Sequence, residues 1–242
     1  MDAIILAAGL GTRLRPLTNN CPKALVKIGN TTLLEQAINQ LTKLEARRIV
    51  VNVHHLGEQI IHIVESHIWD TEIVISDERH MLLDTGGALK KAIPLCHQDA
   101  PIMAYNVDIV SMIDLQAMVD CHIKSHNLVT LATSHRTTAR QLLFDNNMQL
   151  RGHKNSTTGE ITIASPTNSP LNELAFSGIS IVEPQLASLL PEALRPYPII
   201  PQYLELSKHH AIKAFIHKAD QWMDVGKPDS LQKASAIVLQ QL

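Results

Sequence analysis

Two cations stand in a glycine-bearing stretch near the start of the chain. Arg13 lies in Gly9-Leu10-Gly11-Thr12-Arg13-Leu14-Arg15-Pro16-Leu17-Thr18, and Lys23 follows Pro22. The apolar run Ile4-Ile5-Leu6-Ala7-Ala8 leads directly into them. A buried strand ending in small residues lets backbone N–H groups approach a ligand closely. A guanidinium is a planar, permanently charged fork for phosphate oxygens. The stretch therefore reads as a phosphate grip. It is not the dinucleotide fingerprint, because no helix opens directly after the glycines and Pro16 would spoil one. It also lacks the Gly-Lys-Ser/Thr of a Walker loop. Taken alone, its Gly-x-Gly fits a plain strand-to-helix turn as well.

Four further motifs carry candidate groups. Asp108 closes Tyr105-Asn106-Val107-Asp108, just past an apolar run. Ligands of open α/β sheets bind beyond the carboxyl ends of strands. A carboxylate there suits Mg²⁺, which takes carboxylates, waters and substrate phosphates. The plainer role for Asp108 is to cap the following loop. Asp224, in Trp222-Met223-Asp224-Val225-Gly226, also fits a cap before a glycine turn. Leu83-Asp84-Thr85-Gly86-Gly87-Ala88 fits either a tight helix-start turn or backbone laid against a flat ring. Phe176-Ser177-Gly178-Ile179 fits a core strand with a bulge glycine, and Lys154 a solvated hairpin lysine.

The elements that must position these groups follow from hydrophobic periodicity. Strands are predicted over 2–7, 48–53, 72–76, 102–106 and 128–134. Helices are predicted after Thr31 or Thr32 to about residue 46, and over 57–67, 88–93 and 114–125. Residues 24–28 read as extended, and 77–87 as a polar loop. The β-α-β-α-β order predicts a parallel sheet with right-handed crossovers. Beyond residue 135 the pattern changes to short hairpins near 141–145, 148–151 and 160–164. A strand over 173–182, proline-broken helices over 184–207, strands at 211–216 and 221–224 and a helix over 227–239 follow. The predicted class is α/β: a Rossmann-like, mostly parallel sheet flanked by helices, with a small antiparallel substrate-binding extension. One domain spans 1–242, its first half, 1–134, for nucleotide and its second, 135–242, for substrate.

Gly-x-Gly-Thr-Arg-x-x-Pro-x-Thr followed by Pro-Lys resembles the signature of the sugar-1-phosphate nucleotidyltransferases. The match is close over residues 2–26 and looser along the rest. The resemblance implies that Arg13 and Lys23 are catalytic, on the triphosphate and on the reacting phosphates. It implies that Leu6, Ala8, Gly9, Gly11, Thr12, Arg13, Thr85, Gly86 and Gly87 bind nucleotide, and that Asn106, Lys154, Glu173 and Gly178 contact the sugar. Asp224 matches the second metal ligand of the family's W-x-D-x-G segment, so that Asp108 and Asp224 would share Mg²⁺. The family more often has glycine before the first of these acids, where Val107 stands. Among compact members the chain is most similar to the N-acetylmuramate-1-phosphate uridylyltransferases. Mannose- or heptose-1-phosphate guanylyltransferases come next, then glucose-1-phosphate thymidylyltransferases. A regulator that kept the fold without the chemistry, or a cytidylyltransferase acting on a small alcohol phosphate, is the alternative from outside this group.

Composition narrows the partners. The 242 residues are 45% hydrophobic and 18% charged, with net charge −2, ordinary for a globular protein and no general attraction to nucleic acid or anionic lipid. Aromatics at 3% argue against stacking platforms for single strands. Cys21, Cys96 and Cys121 form no C-x-x-C pair, which speaks against zinc or a redox dithiol. The expected partners are an NTP and a sugar 1-phosphate, with no nucleic acid and no membrane. The expected state is a cytoplasmic monomer or simple homo-oligomer, with no leader peptide.

Overall fold

The computed structural model describes residues 1–239. Strand β1 (Asp2–Leu6) enters the loop predicted above, which holds two 3₁₀ turns at Thr12–Leu14 and Lys23–Leu25. Then come β2 (Lys27–Ile28), β3 (Thr31–Thr32), α1 (Leu33–Lys43), β4 (Arg48–Val53), α2 (Gly57–Ser66) and β5 (Glu72–Asp77). They are followed by α3 (Asp84–Ala92), β6 (Ile102–Asn106), β7 (Ile109–Ser111), α4 (Leu115–Ser125) and β8 (Val129–Ser134). The second half holds β9 (Arg140–Phe144), β10 (Leu150–Asn155), β11 (Ile161–Ile163), β12 (Asn172–Val182), α5 (Leu186–Leu189) and α6 (Ile199–Leu206). It ends with β13 (Ile212–Ile216), β14 (Trp222–Asp224) and α7 (Pro228–Leu239).

Among the described residues the main sheet has ten strands, in the order β11-β10-β9-β12-β6-β1-β4-β5, with β8 and β13 joined through β12. β1 pairs in parallel with β4 and β6, and β4 with β5. β12 runs antiparallel to β6, β8 and β9, so one long strand ties the parallel half to the hairpin half. The predicted α/β class is what forms. Both faces of β1 are buried, Ile4 and Ile5 fully, because helices cover the sheet on either side. Ile5, Ile49, Val51 and Tyr105 pack with α1, α2 and α4, whereas Ile4, Val50 and Ala104 pack with α3, α5 and α6. Helix α1 starts in a capping box: Glu35 N–H donates to Thr32 Oγ1 at 3.1 Å, and Thr32 N–H to Glu35 Oε2 at 2.6 Å.

Three segments differ from their predicted form. Residues 23–25 are a 3₁₀ turn, leaving only Lys27–Ile28 as strand in the segment expected to be extended. Ile109–Ser111 is a strand, drawn into pairing by β14. Helix α3 begins at Asp84 rather than Ala88, so Gly86 and Gly87 lie in its first turn. The reason is packing. A Cβ on Gly86 would meet the Tyr197 ring at 2.3 Å and its carbonyl oxygen at 2.8 Å, and one on Gly87 would meet the Arg195 carbonyl oxygen at 2.5 Å. Gly86 N–H donates to that Tyr197 carbonyl at 2.9 Å.

Two effects compete in Gly86→Ala. Helix propensity favours alanine by about 1 kcal/mol. Forcing a methyl into a closed contact costs about 1–3 kcal/mol, and backbone on one side leaves little room to yield. Net destabilisation of up to about 2 kcal/mol is expected in urea unfolding; a stabilised variant would show that the 195–197 segment does not press on this helix.

Candidate active site

The loop after β1 is held from beneath by a polar clamp. Asn52, on β4, accepts from Ala7 N–H at 2.5 Å and Ala8 N–H at 3.2 Å through its side-chain oxygen. Its amide donates to Glu78 Oε1 at 2.8 Å, and Glu78 Oε2 accepts Leu83 N–H at 3.2 Å. Both residues are buried, so each polar atom needs these partners. Burial pushes the Glu78 carboxyl up from its ordinary value, and the Asn52 and Leu83 donors pull it back. The clamp links the ends of β1, β4 and β5 to the start of α3. Its sequence signal was a polar residue inside Ile-Val-Val-Asn-Val, where a strand buried on both faces otherwise carries apolar side chains.

The cations of the loop meet the two acids. Gly11 has φ +64°, and Thr18 Oγ1 donates to its carbonyl at 2.8 Å, closing the turn. Lys23, only 8% exposed, places its ammonium on Asp108 Oδ2. Asp224 Oδ2 lies 3.6 Å from Arg13 Nη1, and its Oδ1 accepts Gly226 N–H at 2.7 Å. A Cβ on Gly226 would stand 2.7 Å from that carboxylate and 2.8 Å from the Arg13 guanidinium, so a side chain there would displace one or both of these groups. β14 and β7 are antiparallel with Asp224 opposite Ile109, and Val225 N–H donates to the Asp108 carbonyl at 2.9 Å. Asp108 and Asp224 thus stand at the end of one ladder, each already neutralised by a cation.

That donor set fits Mg²⁺. Asp108 and Asp224 supply hard carboxylate oxygens from the adjoining ends of β7 and β14. Among the described residues no group of three or more His, Cys, Asp or Glu side chains forms a metal cage. Two carboxylates with the remaining positions left to water and phosphate is the arrangement Mg²⁺ favours.

One cavity adjoins this cluster, and a second adjoins the first. The first, about 420 Å³, is lined by Leu6, Ala8, Gly9, Lys23, Thr85 and Asp108, with Asn52 and Glu78 in its wall. The second, about 680 Å³, lies between the β9–β10 hairpin, β12 and α6, and shares Leu6, Asp84, Thr85 and Asn106 with the first. Gly178, with φ +74°, sits in the second wall where β12 bulges, and a Cβ there would reach 2.7 Å from Asn106 Nδ2. Gly11, Thr12 and Arg13 lie outside the first cavity's walls. Gly86 and Gly87 stand behind it, packed on the 195–197 segment. Lys154 and Glu173 pair with each other at 2.6 Å. Lys154 lies opposite Gln141, on the other face of the hairpin from His153 and Asn155, which line the cavity.

Arg136 carried no sequence signal, yet it braces β14. Its guanidinium lies 3.9 Å over the Trp222 ring and donates to the carbonyls of Phe176 at 2.6 Å and Ala175 at 3.1 Å. Trp222 Nε1 in turn donates to the Ser177 carbonyl at 2.6 Å. Burial lowers the Arg136 pKa from its ordinary value, and the charge of Asp224 opposes that.

Fold and site define an α/β protein whose strand-end acids meet a cation-bearing loop after β1. The chain belongs to the nucleotidyl transferase family, which matches residues 2–142, and is an enzyme of the sugar-1-phosphate nucleotidyltransferase class. It is 29% identical over 247 residues to the N-acetylmuramate alpha-1-phosphate uridylyltransferase of Caulobacter vibrioides, covering 97% of this chain and 95% of that one. It is 27% identical over 247 residues to the mannose-1-phosphate guanyltransferase of Yarrowia lipolytica, covering all of this chain and 65% of that one. In structure it is similar to HddC from Yersinia pseudotuberculosis, with TM-score 0.75, 19% identity and coverage of 98% and 99%, a likeness of fold. Among the described residues no helix is long and apolar enough to cross a membrane.

Asn52→Ala strips the acceptor from two buried N–H groups and a donor from Glu78. A loss of roughly 2–4 kcal/mol in urea unfolding is expected, together with a raised KM for the nucleotide. Stability within about 0.5 kcal/mol of the parent would show that the clamp is not what holds the loop.

Proposed function

We propose that the chain transfers UMP from UTP to N-acetylmuramate 1-phosphate, giving UDP-N-acetylmuramate and pyrophosphate. The observation that carries the reaction class is the junction of Lys23 with Asp108 and of Arg13 with Asp224 at the end of one ladder, beside a cavity that shares part of its wall with a second. The substrate pair rests on the Caulobacter vibrioides relative, which matches this chain over nearly its whole length.

An oxygen of the sugar phosphate attacks the α-phosphorus of UTP in line. A new P–O bond forms, the bond to the bridging oxygen breaks, and pyrophosphate leaves with the electron pair. The attacking oxygen is already an anion, so no general base is required. The chain's task is positioning and charge neutralisation, as in phosphoryl transfer generally. Arg13 holds the triphosphate on the leaving side, and Lys23 neutralises the reacting phosphates. Leu6, Ala8, Gly9 and Thr85 form walls for the nucleotide, and Gly11 and Thr12 shape the loop that presents Arg13. Gly86 and Gly87 seat α3 beneath the base. Asn106, at the join of the two cavities and free to lie against Gly178, contacts the sugar phosphate, with Lys154 and Glu173 at the outer side of the hairpin. Asp108 and Asp224 would hold Mg²⁺, which when bound offsets phosphate charge and orients the two substrates. Retention of both acids and both cations favours an enzyme over a regulator that keeps only the fold.

The test is pyrophosphate release from UTP, GTP, CTP and dTTP, each with N-acetylmuramate, mannose and glucose 1-phosphates. The highest kcat/KM is expected for UTP with N-acetylmuramate 1-phosphate. Asp108→Asn is expected to lower that turnover by about 100- to 1,000-fold without unfolding the protein. A preference for GTP with mannose 1-phosphate would move the substrate assignment to the guanylyl transferases, and parent-like turnover in Asp108→Asn would overturn the site.

A further inference from the structure

The second cavity carries a charge that the transfer chemistry does not use. Arg140 opens β9 and lines that cavity, where it is the one permanent cation among the described residues; Asp84, shared with the first cavity, is the one acid. The neighbouring cations are already occupied: Arg151 pairs with Asp145 and Lys154 with Glu173. Arg140 has no acid partner among the described residues. Its direct cross-strand neighbour is Asn155, and His153 follows opposite Leu142, so Arg140, His153 and Asn155 share one face of the hairpin. All three line the cavity.

Asn155 is held in a fixed orientation. Its side-chain oxygen accepts Thr157 N–H at 3.0 Å and Thr158 N–H at 3.3 Å. The oxygen is therefore engaged in the turn, and the NH₂ remains as a donor. A guanidinium fork beside an amide donor on a rigid hairpin offers hydrogen bonds only of the donating kind. Such a pair matches a carboxylate, whose two oxygens only accept and which pairs with arginine in bidentate fashion. It matches a neutral sugar hydroxyl poorly, since that supplies one acceptor atom and no charge.

We propose that Arg140, with Asn155 beside it, binds a carboxylate on the sugar, so that the second cavity selects acidic sugar 1-phosphates. The inference rests on the sugar-phosphate reading above and sharpens it. N-acetylmuramate carries such a group on its lactyl ether, whereas mannose, glucose and N-acetylglucosamine carry none. With the phosphate near Asn106 and Lys23, the ring extends across the shared wall toward β9 and β10, which brings the far side of the sugar to Arg140. The residue sets specificity and takes no part in bond making.

The test compares kcat/KM with UTP for N-acetylmuramate 1-phosphate and for N-acetylglucosamine 1-phosphate, the same sugar without the lactyl ether. The parent protein, Arg140→Gln and Arg140→Lys are assayed, with thermal unfolding as a check on folding. The parent is expected to favour the acidic sugar. In Arg140→Gln that preference should fall on the order of 100-fold, because a site built for a charged group loses its partner. Arg140→Lys should recover part of it, as a point charge without the fork. A preference unchanged in a folded Arg140→Gln overturns the role of Arg140 while leaving the substrate reading intact. A parent protein that does not favour the acidic sugar overturns both.

Discussion

The short ladder between β7 and β14 is the join on which the candidate chemistry depends. It bonds a strand from the middle of the chain to one near its described end, and the Val225 N–H on the Asp108 carbonyl brings two carboxylates to one strand end. Each carboxylate has its own counter-charge: the Lys23 ammonium sits on Asp108, and Arg13 lies 3.6 Å from Asp224. Both counter-charges come from the loop after β1. Lys23 is too deeply buried to stand without Asp108, since an ammonium taken out of water costs several kcal/mol unless it is paired. The loop and the acids therefore hold each other in place. The same arrangement gathers two cations and two acids at one strand end.

Around that join the sheet divides the work. Parallel strands β1, β4, β5 and β6 end on one edge and supply the first cavity, braced by the Asn52–Glu78 clamp. The hairpin of β9 and β10, with the bulged β12, supplies the second. β12 belongs to both halves, and its Gly178 lies against Asn106, the residue shared by the two cavities. Arg136, stacked on Trp222 and bonded to carbonyls of β12, fixes β14 to the same strand. A displacement of β12 would therefore be felt at Asp224 as well as in the second cavity.

Much of this was legible in the order of residues. The cation-bearing loop is contiguous, so its glycines, Arg13 and Lys23 could be read together. Asp108 and Asp224 were readable as acids at strand ends, and α1 by its apolar stripe and threonine cap. What could not be read depends on partners distant in sequence. Nothing near Gly86 and Gly87 shows that Tyr197 and Arg195 will press against them, so a glycine pair read as a loop became the first turn of a helix. Asn52 and Glu78 satisfy each other across two strands, and Arg136 acts only because Trp222 arrives beneath it. The face that Arg140 shares with Asn155 follows from hairpin register, which a pattern of weak turns did not set.

The proposed sharing of Mg²⁺ by Asp108 and Asp224 is tested most directly by the Mg²⁺ concentration that gives half-maximal pyrophosphate release, measured for the parent protein and for Asp224→Ala. Removal of one carboxylate from a two-carboxylate site should raise that concentration by about tenfold or more, since an ion bound through so few protein ligands loses one of them outright. An unchanged requirement in a folded Asp224→Ala would contradict the site, and with it the claim that the β7–β14 ladder exists to bring two acids to one ion.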